Sequence, residues 1–203
     1  MNFFDYFQIA ILAIVLLVLF GRASYLRLRK HINPIVIGGG KKGLFLAIEL
    51  MAVVGLVVWI VEVLLYALHS AFRFVPSLLD SRLVSSFAAQ SVGVVFVTLG
   101  LVIFGLAFIS FGDSWRVGLD QRAPGALVSG GIFAVSRNPI YVFLVLWFIG
   151  TFLINGTLLF LIFAVLAIGF LHWQILQEEK FLLQLYGRPY QDYCRRTGRY
   201  LHW

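Results

Sequence analysis

Apolar residues run along this chain in long blocks, and polar residues collect between the blocks instead of alternating with them. Crossing a hydrocarbon core takes roughly 20 apolar residues in a helix, and that length defines the elements. The first runs from about Asn2 to Gly21. The second runs from about Gly43 to Leu68, with Glu49 and Glu62 inside it, and the third from about Phe87 to Phe111. The apolar sequence from Pro139 to Leu176 is too long for one span and about right for two. Ile154-Asn155-Gly156-Thr157 breaks it near the middle, and Asn-Gly is a strong turn signal. The pattern predicts a tight helical hairpin whose short first arm opens at Pro139, in the favoured first-turn position. Its second arm continues past the membrane as an amphipathic helix that stops at Gly187. The expected fold is an all-α integral membrane protein of about five transmembrane helices, a single domain over residues 1–203 with a C-terminal helical hairpin and an amphipathic extension.

Composition supports that class and excludes others. Of the 203 residues, 61% are hydrophobic and only 12% charged, and the mean hydropathy is +0.95. A soluble domain usually carries about twice that charged fraction, so no separate soluble domain fits. The single cysteine, Cys194, excludes an intramolecular disulfide and a cysteine-rich metal site. With one histidine per region as well, no metal is expected, and no nucleic-acid partner is. The first apolar run, Phe7 to Phe20, has no basic residue before it and a basic cluster after it. It is expected to stay as a membrane helix and not to be cleaved as a signal peptide.

Charge sets the orientation. Arg22, Arg27, Arg29, Lys30, Lys41 and Lys42 lie between the first two helices; Arg116, Arg122 and Arg137 lie between the third and fourth; Lys180, Arg188, Arg195, Arg196 and Arg199 lie in the tail. A five-helix topology puts these 14 of the 16 basic residues on one side and leaves only Arg73 and Arg82 on the other. By the positive-inside rule the rich side is cytoplasmic. The N-terminus is then outside and the tail in the cytosol. Four helices would reverse the tail against this bias.

Two segments are candidates for chemistry. The connector after the third helix reads Gly112-Asp113-Ser114-Trp115-Arg116-Val117-Gly118, then Leu127-Val128-Ser129-Gly130-Gly131-Ile132-Phe133, then Ser136-Arg137-Asn138-Pro139-Ile140-Tyr141. Its glycines permit close backbone approach to a ligand, and Arg137 can reach a carboxylate or phosphate. An ordinary cytosolic loop, with an arginine snorkelling to lipid headgroups, accounts for the same residues. The second segment carries His172, Glu178 and Glu179. His172 and Glu179, seven apart, share a helix face. Acids at the membrane rim are costly unless used; solvated helix-end charges are the bland alternative. In helix two, Glu49 is explained by an interfacial pairing with Lys41 and Lys42, and His69 lies at the outer rim. Glu62 is deeper, and is expected to be kept neutral or hydrogen-bonded to another helix.

Three ordered motifs then carry a resemblance. Arg137-Asn138-Pro139-Ile140-Tyr141 opens the hairpin; Glu178-Glu179-Lys180-Phe181-Leu182 follows it; Tyr186-Gly187-Arg188-Pro189-Tyr190-Gln191-Asp192-Tyr193 forms the tail. Together they resemble the isoprenylcysteine carboxyl methyltransferase family and the related phospholipid methyltransferases. Trp147, Gly150 and Asn155 also sit where that family often has those residue types. The resemblance covers about residues 110 to 200.

It implies S-adenosylmethionine as methyl donor, bound by the hairpin and its cytosolic extensions and not by a Rossmann domain. It implies a lipophilic or prenylated acceptor from the bilayer, such as an isoprenylcysteine-like carboxylate. On this basis residues 1–111 are the acceptor side and residues 112–203 the donor-binding loop, hairpin and tail, with the site facing the cytosol. Arg137 would pair with the donor carboxylate, and Glu178 or Glu179 would accept from its ammonium or ribose hydroxyls. Leu127, Val128, Tyr141 and Tyr190 would hold the adenine, with Gly131, Asn138, Pro139 and His172 lining the same cavity. Arg137, Glu179 and Arg116 are the expected catalytic group, Arg137 or Arg116 orienting an anionic acceptor. One departure stands out: the family's usual histidine between Arg and Pro is Asn138 here, and an amide cannot shuttle a proton near neutral pH. The alternatives are an NADPH-dependent reductase of sterol or steroid type, and a non-enzymatic membrane scaffold or transporter.

Overall fold

A computed structural model describes residues 1–29, 31, 43–111 and 127–201 of the chain. Among these residues six α-helices occur in the order α1 (Phe3–Arg29), α2 (Leu44–Ala67), α3 (Phe87–Phe111), α4 (Pro139–Asn155), α5 (Leu158–Tyr186) and α6 (Arg188–Arg196). Among the described residues there is no strand, only one antiparallel bridge between Arg82 and Thr157. The chain is an all-helical integral membrane protein. α1, α2, α3 and α5 are long and apolar enough to cross a membrane. α4 has 17 residues and rises about 25 Å, less than the roughly 30 Å of hydrocarbon. α5, at 29 residues, rises about 43 Å, so its last turns project beyond a core of that thickness.

The described residues form two units, one within Met1–Pro76 and the other from Ser77 onward. In the first, α1 packs on α2, burying Ile11, Leu12, Val15, Trp59 and Val63. Asp5 is buried and its Oδ2 lies 2.8 Å from Nε2 of His69, whose side chain is largely exposed. Among the described residues Glu62, fully buried, has no bond to another helix. Its Oε1 accepts from the backbone N–H of Phe74, just past its own helix, at 3.1 Å.

In the second unit α3 packs along α4, and two glycines bring the backbones together. A Cβ on Gly93 would stand 2.7 Å from the carbonyl oxygen of Gly150, and one on Gly150 the same distance from that of Gly93. Phe104 and Phe143 continue the seam, with ring centroids 4.7 Å apart. The turn between α4 and α5 is Gly156-Thr157, with Gly156 left-handed at φ 68° and ψ 17° and Thr157 extended. The Gly156 carbonyl accepts from the amides of Leu83 at 2.7 Å and Val84 at 3.1 Å, and the Val84 carbonyl leaves no room for a Cβ on Gly156. The hairpin therefore closes where the Asn-Gly pair predicts.

α5 ends at Gly187, whose φ of 55° and ψ of −125° suit a residue without a Cβ. Arg188 and Pro189 open α6, with proline in the first turn. α6 turns Tyr190 and Tyr193 inward and leaves Arg195 and Arg196 exposed.

Candidate functional site

The site collects where α4 begins, α5 ends and the tail returns. α4 starts at Pro139, which needs no amide partner at that position. Asn138 precedes it as N-cap but makes no side-chain cap bond to the helix. Its Nδ2 instead donates to the carbonyl of Arg199 at 3.0 Å, while its backbone N–H donates to the Ser136 hydroxyl at 3.1 Å. Next to it, the backbone N–H of Arg137 donates to the Gly198 carbonyl at 3.0 Å. Two adjacent residues thus tie the entrance of α4 to the tail.

Glu179, on the projecting part of α5, is the electrostatic centre. Arg199 grips its carboxylate with two groups: Nε lies 3.0 and 3.1 Å from the two oxygens and Nη2 lies 2.8 Å from Oε2. Arg137 Nη2 reaches Oε1 at 3.2 Å. The side chains of Arg137 and Glu179 are 12% and 14% exposed, so water screens this pair weakly. The hydrogen bond to Glu179 is the main reason that Arg199 holds its proton even more firmly than a free guanidinium. Arg137 also directs Nη1 at the thiol of Cys194, and its Nε is buried without a hydrogen-bond partner.

Glu178 faces a different partner, accepting from the Tyr141 hydroxyl at 2.5 Å and from Gln174 at 3.4 Å. About two turns back along α5, His172 Nδ1 pairs with the Tyr200 hydroxyl, their rings stacked 6.2 Å apart. The α5 face predicted from the seven-residue spacing is real, and it meets two successive tail residues: His172 takes Tyr200 and Glu179 takes Arg199.

Beneath this lies α6. Tyr193 donates to the Phe133 carbonyl at 2.6 Å and Thr197 to the Ala134 carbonyl at 3.4 Å, which fixes the short 3-10 turn Gly131–Ala134. Burial pushes the Tyr193 phenol up to about 12, against the pull of Arg137 and with a smaller push from Cys194. Tyr190 is buried beside it, and burial raises its phenol too, followed by Cys194 and Glu179. Gly131, at φ 61°, sits against the Ser110 side chain. Leu127 and Val128 lead into this turn, half-buried.

Arg137, Asn138, Pro139, Tyr141, His172, Glu178, Glu179 and Tyr190 therefore lie on three neighbouring elements, as the motifs suggest. Arg116 lies outside the described residues, as does the Gly112–Gly118 stretch. Arg137 and Glu179 pair with each other, an arrangement that neither motif implies. Arg199, Cys194, Tyr193 and Tyr200 also belong to the cluster. Tyr193 closes the third motif, whereas Cys194, Arg199 and Tyr200 have only an indirect signal in the sequence, a basic, tyrosine-containing tail that continues past that motif.

Comparison with known proteins places this architecture. The family model for phospholipid methyltransferases matches residues 88–189. A Schizosaccharomyces pombe protein-S-isoprenylcysteine O-methyltransferase is 28% identical over 131 residues, covering 63% of this chain and 54% of the relative. An Arabidopsis thaliana protein-S-isoprenylcysteine O-methyltransferase B is 28% identical over 127 residues, 61% of this chain and 62% of the relative. The Saccharomyces cerevisiae protein-S-isoprenylcysteine O-methyltransferase is 25% identical over 198 residues, 96% of this chain and 77% of the relative. The chain thus spans less than two thirds of the length of the first two. The family match takes in half of the chain, from α3 through the hairpin and both glutamates to the start of α6, and so this chain belongs to the phospholipid methyltransferase family.

Proposed function

We propose that this protein transfers a methyl group from S-adenosylmethionine to the carboxylate of a lipophilic, isoprenylcysteine-like acceptor, at a site on the cytosolic face of the membrane. The single observation that carries the reading is the Arg137–Glu179 pair inside the family match, gripped from the tail by Arg199, in a chain whose relatives are named for that O-methylation.

The chain's residues fit such a donor. Arg137 keeps a buried Nε without a partner, the donor group that an amino-acid carboxylate needs. Glu178, held by Tyr141, offers a carboxylate for the ammonium or the ribose hydroxyls. Leu127 and Val128, half-buried, offer apolar surface for the adenine beside Gly131; Tyr190 and Pro139 are themselves buried and would back that wall. Bound there, S-adenosylmethionine supplies a methyl group on a sulfonium, a leaving group that departs as a neutral thioether.

A carboxylate acceptor is ionised near neutral pH, so its oxygen can form the new C–O bond with no proton to remove. The protein's own groups accord with that demand. Glu179 is saturated by two arginines, Asn138 is an amide, and the buried tyrosines hold their protons. Each is a poor general base. What these residues do is orient and exclude water, and the rate enhancement rests on alignment. Arg137 or Arg116 would orient the anionic acceptor.

Titration of the purified protein with S-adenosylhomocysteine and with NADPH, by calorimetry, tests the donor. Saturable binding of the former alone, weakened at least about tenfold in Arg137→Ala, is the expected result. Binding of NADPH alone would move the protein to the reductase class.

A further inference from the structure

Two arginines share one carboxylate here, and they share it unequally. Arg199 is the well-paired partner, bidentate on Glu179 through Nε and Nη2. Arg137 holds the same carboxylate through Nη2 alone, at 3.2 Å. Its Nη1 points at a thiol, a weak acceptor, and its Nε is buried with nothing to bind. Arg137 thus keeps donors that Glu179 does not use.

The backbone of Arg199 is anchored from two sides. Its carbonyl accepts from the Asn138 amide at 3.0 Å, and the Gly198 carbonyl before it accepts from the Arg137 backbone at 3.0 Å. The Tyr200 hydroxyl after it meets His172. The guanidinium of Arg199 therefore approaches Glu179 from a fixed stretch of tail. A side chain on a mobile backbone would lose more entropy in making the same grip.

This arrangement matters when an anion arrives at Arg137. Were Arg137 the only partner of Glu179, turning it toward a ligand carboxylate would strand a largely buried acid, a step that is strongly unfavourable. With Arg199 in place, Glu179 keeps its counter-charge throughout. We propose that Arg199 is a positioning residue: by holding Glu179 from the tail, it releases the guanidinium of Arg137 for the amino-acid carboxylate of the methyl donor. Asn138 serves it as an anchor, which gives the amide at that position a purpose with no proton transfer. The proposal rests on the donor reading above.

The test is a binding cycle on the full-length protein in lipid nanodiscs, read by calorimetry with S-adenosylhomocysteine and with its decarboxylated analogue. Arg199→Gln is expected to weaken S-adenosylhomocysteine by about ten- to hundredfold, the scale of a charged hydrogen bond. The decarboxylated analogue should bind the variant as it binds the parent. In a Glu179→Gln background the Arg199→Gln change should have no further effect, because there is no carboxylate left to hold. Arg199→Lys, which keeps the charge but loses the fork, should fall between, and carries the same comparison if Arg199→Gln does not fold. Equal weakening of both ligands, or a loss that persists in the Glu179→Gln background, would overturn the role. If the parent protein binds neither ligand, the donor reading fails, and this proposal with it.

Discussion

Asn138 stands where the resemblance leads one to expect histidine, and its amide does what a proton shuttle could not do better: it donates to the Arg199 carbonyl and pins the tail. Around it, polar side chains are engaged with one another, and Tyr193 illustrates the consequence. Its buried hydroxyl donates to the Phe133 carbonyl, and ionising it would lose that bond and bury a charge. The folded phenol titrates at about 12 against an ordinary 10.0. Because the folded value is the higher one, the protonated phenol's contribution to stability is complete below the ordinary value. It drains away as pH rises from there toward the folded value. Tracking phenolate absorbance in the intact protein should reveal a late-titrating class of tyrosines that loses one member in Tyr193→Phe; an unchanged titration would contradict the burial argument. Much of this cluster is legible from residue type and spacing. Arg137, Tyr141, Glu178 and Glu179 declare themselves as charged or phenolic groups at a membrane rim, where they are costly without a use. Arg199, Cys194 and Tyr200 do not, because they join the site only through the return of the tail, a tertiary event with no periodicity to announce it.

α3 runs from Phe87 to Phe111 and α4 opens at Pro139, both as the apolar blocks predict, because a span's ends are set by where polar residues and helix breakers begin. α1 continues to Arg29, well past Gly21, since the basic stretch after the apolar run is made of residues that tolerate a helix. α6 has no helical signature of its own in the sequence. Nine residues cannot hold a helix on their propensity alone, and this one is fixed by Tyr190 and Tyr193 packing inward. The α3–α4 seam is the contact on which the α4–α5 hairpin rests. Gly150→Val would drive its new methyl groups into Val97 and the Gly93 carbonyl and should cost about 1–3 kcal/mol, visible as a lower thermal midpoint in detergent. The equivalent change at Gly169, where nothing lies within 4 Å, should leave the midpoint in place. Equal losses at both sites would mean that the seam is not close-packed.

Across the whole molecule, the distribution of lysine and arginine predicts an orientation with the tail in the cytosol. Two exposed positions test this, Leu78 before α3 and Gln184 near the end of α5. In a Cys194→Ser background, an impermeant maleimide should label Leu78→Cys on intact cells and Gln184→Cys only after permeabilisation. Labelling of both on the same side would show an even number of crossings between them. The element order can be read from the sequence because hydrocarbon thickness sets helix length, whereas the interlocked arginines cannot, since nothing local dictates them.

The proposed reaction is methyl transfer to a lipophilic carboxylate. It is met most directly by incubating the protein with an S-farnesylcysteine derivative and S-adenosylmethionine tritiated on its methyl group, then treating the extracted lipid with alkali. A carboxyl methyl ester releases its label as volatile methanol, so acceptor-dependent, alkali-labile counts that vanish in Arg137→Ala are the expected result. Label that survives alkali in an amine-bearing phospholipid, or no incorporation at all, would contradict it.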